Sequence, residues 1–140
     1  MSKNTATKKV LAAASAATGT FLALDGVWIA GVAKNIYESA IPHLMADSVN
    51  PLPAAGFYAS YLAGTVYLAA KPLTKGHGLP KRLRDGAILG ALAYGTWGFT
   101  ASSVLKDFPV SVALSDAAWG AVLTAATAAV AGKAADAVSN

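Results

Sequence analysis

Residues 21–37 read FLALDGVWIAGVAKNIY, and this stretch places an aspartate, Asp25, inside an apolar segment. Lys8 and Lys9 are the last charged residues before Asp25, and residues 10–33 are otherwise apolar or small. At about 1.5 Å per residue, a helix over residues 10–33 crosses a hydrocarbon layer of about 30 Å. A carboxylate within that layer costs about 2.5–3.5 kcal/mol on insertion scales. We therefore expect Asp25 to face protein or water, to be paired, or to be protonated.

The composition predicts an integral membrane protein. Of the 140 residues, 55% are hydrophobic and 13% are charged, which is more apolar content than a soluble domain of this length can bury. The chain contains no cysteine, which excludes disulfides, thiolate metal sites and cysteine nucleophiles. The net charge is +4, but the basic residues lie between apolar runs and are not interleaved with aromatic residues. We therefore predict no nucleic-acid partner.

The prolines divide the chain into four apolar blocks. All six fall outside the blocks, as expected for residues that interrupt helices: Pro42, Pro51, Pro53, Pro72, Pro80 and Pro109. We predict an all-α integral membrane bundle, a single transmembrane domain over residues 1–140, with four transmembrane helices at about 10–33, 54–70, 86–105 and 110–131. In the first loop, residues 34–53, apolar residues recur at helical spacing opposite charged ones. This pattern predicts an interfacial helix kinked near Pro42.

The distribution of basic residues predicts the topology. The loop over residues 71–85 is the only strongly basic stretch, and it falls on the same side as the N-terminal lysines and Lys133, leaving Lys34 and Lys106 on the other side. The positive-inside rule then places both termini in the cytoplasm and the chain in the plasma or inner membrane. The loop could instead contact nucleic acid or lipid headgroups, but we favour the interpretation that its charges only orient the helices in the membrane.

A secretory signal peptide is the competing interpretation of the N-terminus, because lysines precede an apolar run with small-residue triplets around residues 12–17. The run continues to Ala33, longer than the usual apolar core of about 7–15 residues. Asp25 and Trp28 also lie beyond any cleavage point that these triplets supply. We therefore favour a membrane-spanning helix.

The fourth block contains a second acid, Asp116, and repeats a local pattern of the first block. Both read Asp-x-x-Trp, at Asp25–Trp28 and at Asp116–Trp119. Residues three apart share one face of a helix, so we expect acid and indole to point the same way in each block. Counting about 1.5 Å per residue from the helix ends places both carboxyls in the outer half of the bilayer. The same layer receives four more candidates: Tyr58, Tyr61, Trp97 and Thr100.

Two interpretations of this layer stay open. In the structural one, each acid accepts a hydrogen bond from Trp, Tyr or Thr and locks the bundle, and the aromatic residues form interface belts. In the functional one, an outward-open polar cavity lets the two carboxyls share a proton and contact a ligand or ion. The candidates for ligand or proton binding are Asp25, Asp116, Trp28, Trp119, Trp97, Thr100, Tyr58 and Tyr61.

Other kinds of site lack support in the sequence. His43 and His77 lie in loops on opposite sides of the predicted bundle, so they cannot jointly bind a metal, and we predict no metal site and no cofactor. The chain has no Ser-His-Asp order, Walker loop or dinucleotide fingerprint, so no catalytic residue is assigned and an enzyme is the weakest interpretation. Gly86 and Gly90 form a GxxxG pair, which predicts close helix packing rather than a site.

Four motifs together carry a family resemblance. They are LDGVWIAGVAKNIYESAIPHLMA at residues 24–46, YGTW at 94–97 with Thr100, LKDFP at 105–109 and SDAAWGAVLTA at 115–125. In this order and spacing the chain, from about Val10 to Ala131, resembles a family of small bacterial four-helix membrane proteins known as domain of unknown function 2177. The resemblance implies a membrane location and no established activity. The family often has an acid and an amide shortly after the third-helix tyrosine, where this chain has Gly98 and Ala101. This difference argues against a role that needs a third intramembrane polar pair.

The sequence leaves two function classes open. The first is a small transporter, channel or ligand-binding module that uses the buried Asp pair in the outer half of the bilayer. The second is a non-catalytic accessory or assembly subunit of a larger membrane complex, which suits a glycine-rich bundle with little mass outside the membrane. The predicted partners are the lipid bilayer and either further copies of the chain or other membrane subunits.

Overall fold

The computed structural model describes residues 1–138, and within them the chain is all α-helical with no strand. Five α-helices follow in order: α1 Lys3–Trp28, α2 Lys34–Ala40, α3 Pro51–Thr65, α4 Leu79–Val104 and α5 Val110–Asp136. A π-helical turn, Ile29–Ala33, joins α1 directly to α2, and a second, Val66–Ala70, extends α3. A short 3₁₀ turn, Pro42–Leu44, follows α2.

The first helix is longer than predicted at both ends. It begins at Lys3 rather than near residue 10, because the Ser2 side chain accepts a hydrogen bond of 3.1 Å from the Thr5 amide and so caps the first turn. It continues through the π turn into α2, which ends at Ala40, so the helical segment predicted in the first loop follows α1 without a break. The helix ends only where Ile41 precedes Pro42, a position at which α conformation is disfavoured.

Three of the prolines lie inside helices rather than between them, which corrects the predicted boundaries. Pro51 and Pro53 are in the first turn of α3, and Pro80 is in the first turn of α4. Proline is tolerated there because the first amides of a helix have no intrahelical partner. Consequently α3 begins before residue 54 and α4 well before residue 86, while α5 begins at Val110 and continues past residue 131 to Asp136.

Glycines bring α4 and α5 into the most extensive pairing of the fold. A Cβ atom on Gly90 would overlap the carbonyl of Gly120, and one on Gly98 would lie 2.7 Å from the Cα of Ala113. Backbones in contact leave no room for side chains, which is the packing mode of small residues in membrane helices. The predicted packing role of Gly90 is therefore confirmed. Helix α1 also packs against α5.

Two helical segments in the described chain are long and apolar enough to cross a membrane, Lys3–Ala40 and Val110–Asp136. The prediction of four transmembrane helices is thus supported in part. Helices α3 and α4 are not apolar enough to meet the same criterion, because tyrosine, glycine, serine and threonine interrupt their apolar residues.

At one end of the bundle, Arg82 joins three helices. This residue is 3% exposed, its Nε donates to the Ala70 carbonyl at 3.0 Å, and its two terminal nitrogens donate to the Asp136 carboxylate at 2.6 and 3.1 Å. The Ala70 carbonyl ends the extension of α3 and has no partner within its own helix, so Arg82 acts as a side-chain cap. His77 Nε2 lies 2.9 Å from the adjacent Ala69 carbonyl.

We expect Arg82→Gln to lower the free energy of unfolding by about 1–3 kcal/mol, because it leaves the Ala70 carbonyl without a donor. The matched control is Arg84→Gln, whose side chain is 63% exposed and pairs only with Asp85; exposed pairs contribute about 0–1 kcal/mol. Titration of each variant with SDS in a mild non-ionic detergent measures the difference. Equal losses in the two variants would show that Arg82 contributes only as a surface charge.

The Arg82 interaction also predicts a pH dependence. Asp136 lies at the polar end of α5, beyond its apolar residues, and the hydrogen bonds from Arg82 hold the pKa of Asp136 below its usual range. A pKa lower in the folded than in the unfolded protein stabilises the fold above the unfolded value of about 3.9, and this contribution disappears as pH falls through the folded pKa. Wild type should therefore be more stable than Asp136→Asn at pH 7, and the gap should close in acid. A gap that widens on acidification contradicts this assignment.

Candidate functional site

Asp25 lies at the centre of three helices. It is 4% exposed and its carboxyl accepts two hydrogen bonds, from the Tyr58 hydroxyl of α3 to Oδ2 at 2.6 Å and from Trp119 Nε1 of α5 to Oδ1 at 3.1 Å. Both carboxyl oxygens are therefore occupied by donors from other helices. This arrangement offsets the cost of placing an acid among apolar side chains and ties α1 to α3 and α5.

Asp116 has a different environment at the junction of α2, α4 and α5. The Tyr37 hydroxyl of α2 donates a hydrogen bond to Oδ2 of Asp116, and Trp97 Nε1 of α4 donates to the same hydroxyl oxygen at 3.1 Å. Phe108 packs edge-on against both aromatic rings, with centroid distances of 6.1 Å to Tyr37 and 5.8 Å to Trp97. The result is a chain of donors from Trp97 through Tyr37 to Asp116.

The repeated Asp-x-x-Trp pattern pairs across helices rather than within them. Trp119 donates to Asp25 on α1, not to Asp116, the acid of its own block on α5. Trp28 instead stacks on Trp119, with ring centroids 4.6 Å apart and planes 6° from parallel. The two indoles thus form one stacked pair between α1 and α5, which fixes Trp119 for its hydrogen bond to Asp25.

Tyr37 is a site residue that the sequence pattern did not indicate. Tyr37 follows Asp25 by 12 residues, and at about 100° per residue it would lie about 120° away around a regular α-helix. The π turn Ile29–Ala33 takes up about one additional residue, which brings Tyr37 back to within about 20° of the Asp25 face. The side chain can therefore reach Asp116 on α5. A π turn has no clear sequence signature. Regular α-helical spacing from residue 25 to residue 37 therefore places Tyr37 on a different face from Asp25.

Two of the predicted candidates lie outside the two hydrogen-bond networks. Tyr61 is buried and shares a hydrogen bond of 2.7 Å with Thr124 Oγ1, one layer away from the acids, where it packs with Phe21. Thr100 lies on the exposed face of α4. The structure brings together Asp25, Tyr58, Trp119 and Trp28 in one network and Asp116 and Trp97, through Tyr37, in the other.

One carboxyl oxygen in this layer is left open. Among the described residues, no donor reaches Oδ1 of Asp116, and this atom is not fully shielded, whereas both oxygens of Asp25 accept hydrogen bonds. Asp116 is 7% exposed, so access to it is narrow. An open carboxylate oxygen can take a proton, a hydrogen-bond donor or a cationic group. Within residues 1–138, no three His, Asp or Glu side chains lie close enough together to hold a metal ion.

Comparison with known proteins gives one family. No curated protein matches the chain, and no solved structure does. A family model described as "Predicted membrane protein (DUF2177)" matches residues 10–133. This match covers most of the chain, including every residue of the two acid networks, and confirms the resemblance seen in the sequence motifs. The chain therefore belongs to the family of predicted membrane proteins known as domain of unknown function 2177.

Proposed function

We propose that the chain crosses the membrane four times, through α1, α3 with its π extension, α4 and α5, with both termini in the cytoplasm. The geometry of one end of the bundle supports this arrangement: Lys9, Lys75, Arg82 and Asp136 line one pocket, so the N-terminal segment, the basic loop and the end of α5 lie together. Residues 86–104 of α4 carry no charge, which suits a third span. The basic end faces the cytoplasm by the positive-inside rule.

The topology predicts which loops are reachable from outside the cell. Single cysteines introduced at residues 47 and 107 are expected to react with a membrane-impermeant maleimide in intact cells, whereas a cysteine at residue 75 should react only after the cells are opened. The native chain has no cysteine, so the background is zero. Strong labelling at residue 75 in intact cells would reverse the proposed orientation.

We propose that the polar layer is a binding site for a proton or for a small ligand with a cationic or hydrogen-bond-donating group, and that Asp116 is the acceptor. The open Oδ1 of Asp116 carries this proposal. A purely structural acid is expected to have its oxygens filled by the protein, as those of Asp25 are. In this scheme Asp25 holds the helices together, and Tyr37 and Trp97 position Asp116.

Purification in a mild detergent followed by native mass spectrometry tests the proposal. Wild type should carry a small molecule, or show pH-dependent proton binding, that Asp116→Asn loses while it stays folded. The matched control is Asp107→Asn, since Asp107 is an exposed acid near the same end of the bundle. A site that behaves identically in wild type and Asp116→Asn would exclude Asp116 as the binding group.

An accessory subunit is the second candidate, because the chain has little mass outside its helices and α3 offers a face on which another subunit could replace lipid. Only Tyr61 and Thr65 of α3 are buried, while Leu52 is 78% and Phe57 44% exposed. Its first half therefore presents an apolar face that a helix of another subunit could cover. In the same purification, loss of a stoichiometric membrane protein on substitution of Leu52 by Ala would favour this function over the binding module, because Leu52 is far more exposed than Phe57.

A further inference from the structure

An apolar groove of about 570 Å³ lies between α1 and the second half of α3. Its walls come from one face of each helix: Val10, Ala14 and Thr18 of α1, and Leu62 and Ala63 of α3, with Val66 of the extension. The groove is separate from the acid layer, because neither Asp25 nor Asp116 lines it. Pro72, Leu73 and Thr74 line it at the end where the basic loop begins.

A polar pocket of about 380 Å³ adjoins this groove. Pro72, Leu73 and Thr74 line both spaces, so the groove and the pocket are separated only by this short segment. The charged side chains that line the pocket are Lys9, Lys75, Arg82 and Asp136, with His77 beside them. An elongated apolar space therefore adjoins a compact charged one.

The charge of the pocket favours an anion. Arg82 and Asp136 neutralise each other through their bidentate pair, and His77 is engaged by the Ala69 carbonyl and lies 3.5 Å from Asp85. Within residues 1–138, Lys9 and Lys75 have no carboxylate within ion-pair distance. The pocket lining therefore carries three cationic side chains against one carboxylate, and this excess of positive charge favours a negatively charged group.

We propose that groove and pocket together bind one anionic phospholipid of the cytoplasmic leaflet, with an acyl chain in the groove and the phosphate near Lys9 and Lys75. The apolar walls match an acyl chain, and the adjoining basic pocket matches a phosphodiester headgroup at the membrane surface. The order of the two spaces also agrees with this ligand. The groove extends from residues 72–74 along α1 as far as Thr18, and the charged pocket adjoins it at the basic end. This site is independent of any ligand at Asp116, although it rests on the proposed cytoplasmic orientation of the basic end.

Native mass spectrometry and thermal unfolding in neutral phosphatidylcholine nanodiscs, with and without added phosphatidylglycerol, test the charged half of the site. Wild type should retain phosphatidylglycerol and gain thermal stability from it. The double variant Lys9→Gln/Lys75→Gln should bind it about 30-fold more weakly. The control Lys34→Gln/Lys106→Gln removes the same charge at the other end and should bind as wild type does. Equal weakening in both variants would show that only the net charge of the protein matters, and it would overturn the proposed site.

The apolar half has its own test. Ala14→Phe places a ring in the groove and should displace the lipid, whereas Ala23→Phe, the same change at an exposed position of α1 outside the groove, should not. Inorganic phosphate and glycerol 3-phosphate should give no stabilisation, because they lack an acyl chain. Stabilisation by either of them equal to that by phosphatidylglycerol, or equal binding of phosphatidylcholine, would overturn the proposal. Unchanged binding in Ala14→Phe would do the same.

Discussion

Replacing Gly90 with alanine is expected to destabilise the bundle more than any other single methyl addition in α4. The added Cβ would overlap the carbonyl group of Gly120, and Thr124 Oγ1 would lie 2.7 Å away. Backbone atoms cannot move aside as a flexible side chain can, so α4 and α5 must separate along their contact. Overpacking of this kind costs about 1–3 kcal/mol, and Gly90→Leu should leave little folded protein.

Glycines elsewhere in the helices supply the control for this prediction. A Cβ on Gly19 or Gly26 of α1 meets nothing within 4 Å. Alanine at either position should be neutral or stabilising by up to about 1 kcal/mol, because alanine is the better helix former. SDS titration of the three variants compares them under one condition. Similar stability of Gly90→Ala and Gly19→Ala would contradict the close approach of α4 and α5.

Substitution of Asp25 should give the second large effect, and it should exceed the effect of the same change at Asp116. Asp25→Ala removes the acceptor for Tyr58 and Trp119 and leaves two donors from different helices without partners. Each orphaned donor costs about 1–3 kcal/mol in a buried site, although measured values between membrane helices average nearer to about 0.6 kcal/mol. We expect a total loss of about 1–4 kcal/mol.

Asparagine variants show whether each acid acts as a hydrogen-bond acceptor or through its charge. Asp116→Asn keeps an oxygen for the single donor Tyr37, whereas Asp25→Asn presents an amide NH₂ group to one of its two donors. Asp25→Asn should therefore unfold more easily than Asp116→Asn, and Tyr58→Phe should recover part of the loss in Asp25→Asn by removing one donor. Equal stability of the two Asn variants would show that both acids have the same structural role.

The fold class followed from features that act locally. Apolar runs of helical length, the position of the prolines and the low charge content predict an all-α chain, and Val110 begins α5 where Pro109 ends the preceding turn. Helix ends were less predictable because they depend on single side chains. Ser2 extends α1 backward through one hydrogen bond, and prolines in a first turn of α3 and α4 do not end a helix.

The sequence indicated most residues of the two acid networks, but it missed Tyr37 and did not indicate which residues pair. The matching depth of Asp25 and Asp116 indicated one polar layer, and the structure gives each acid aromatic donors. The pairing depends on how the helices are rotated about their axes and on the π turn that brings Tyr37 to Asp116. The three-residue spacing between acid and tryptophan gives no information on either. Arg82 illustrates the same point. Its charge could be used to predict the topology, whereas its contacts with Ala70 and Asp136 form only in the folded bundle and could not be predicted.

Modification by a hydrophobic carbodiimide tests the central claim most directly, namely that Asp116 is the open acid of the layer and Asp25 the closed one. The protein in detergent is treated with dicyclohexylcarbodiimide, and the modified carboxyl is located by peptide mass spectrometry. We predict that Asp116 is modified before Asp25, and that Tyr37→Phe, which removes the donor to Asp116, speeds its modification while leaving Asp25 unchanged. Modification of Asp25 first, or of both acids at the same rate in the folded protein, would contradict the claim.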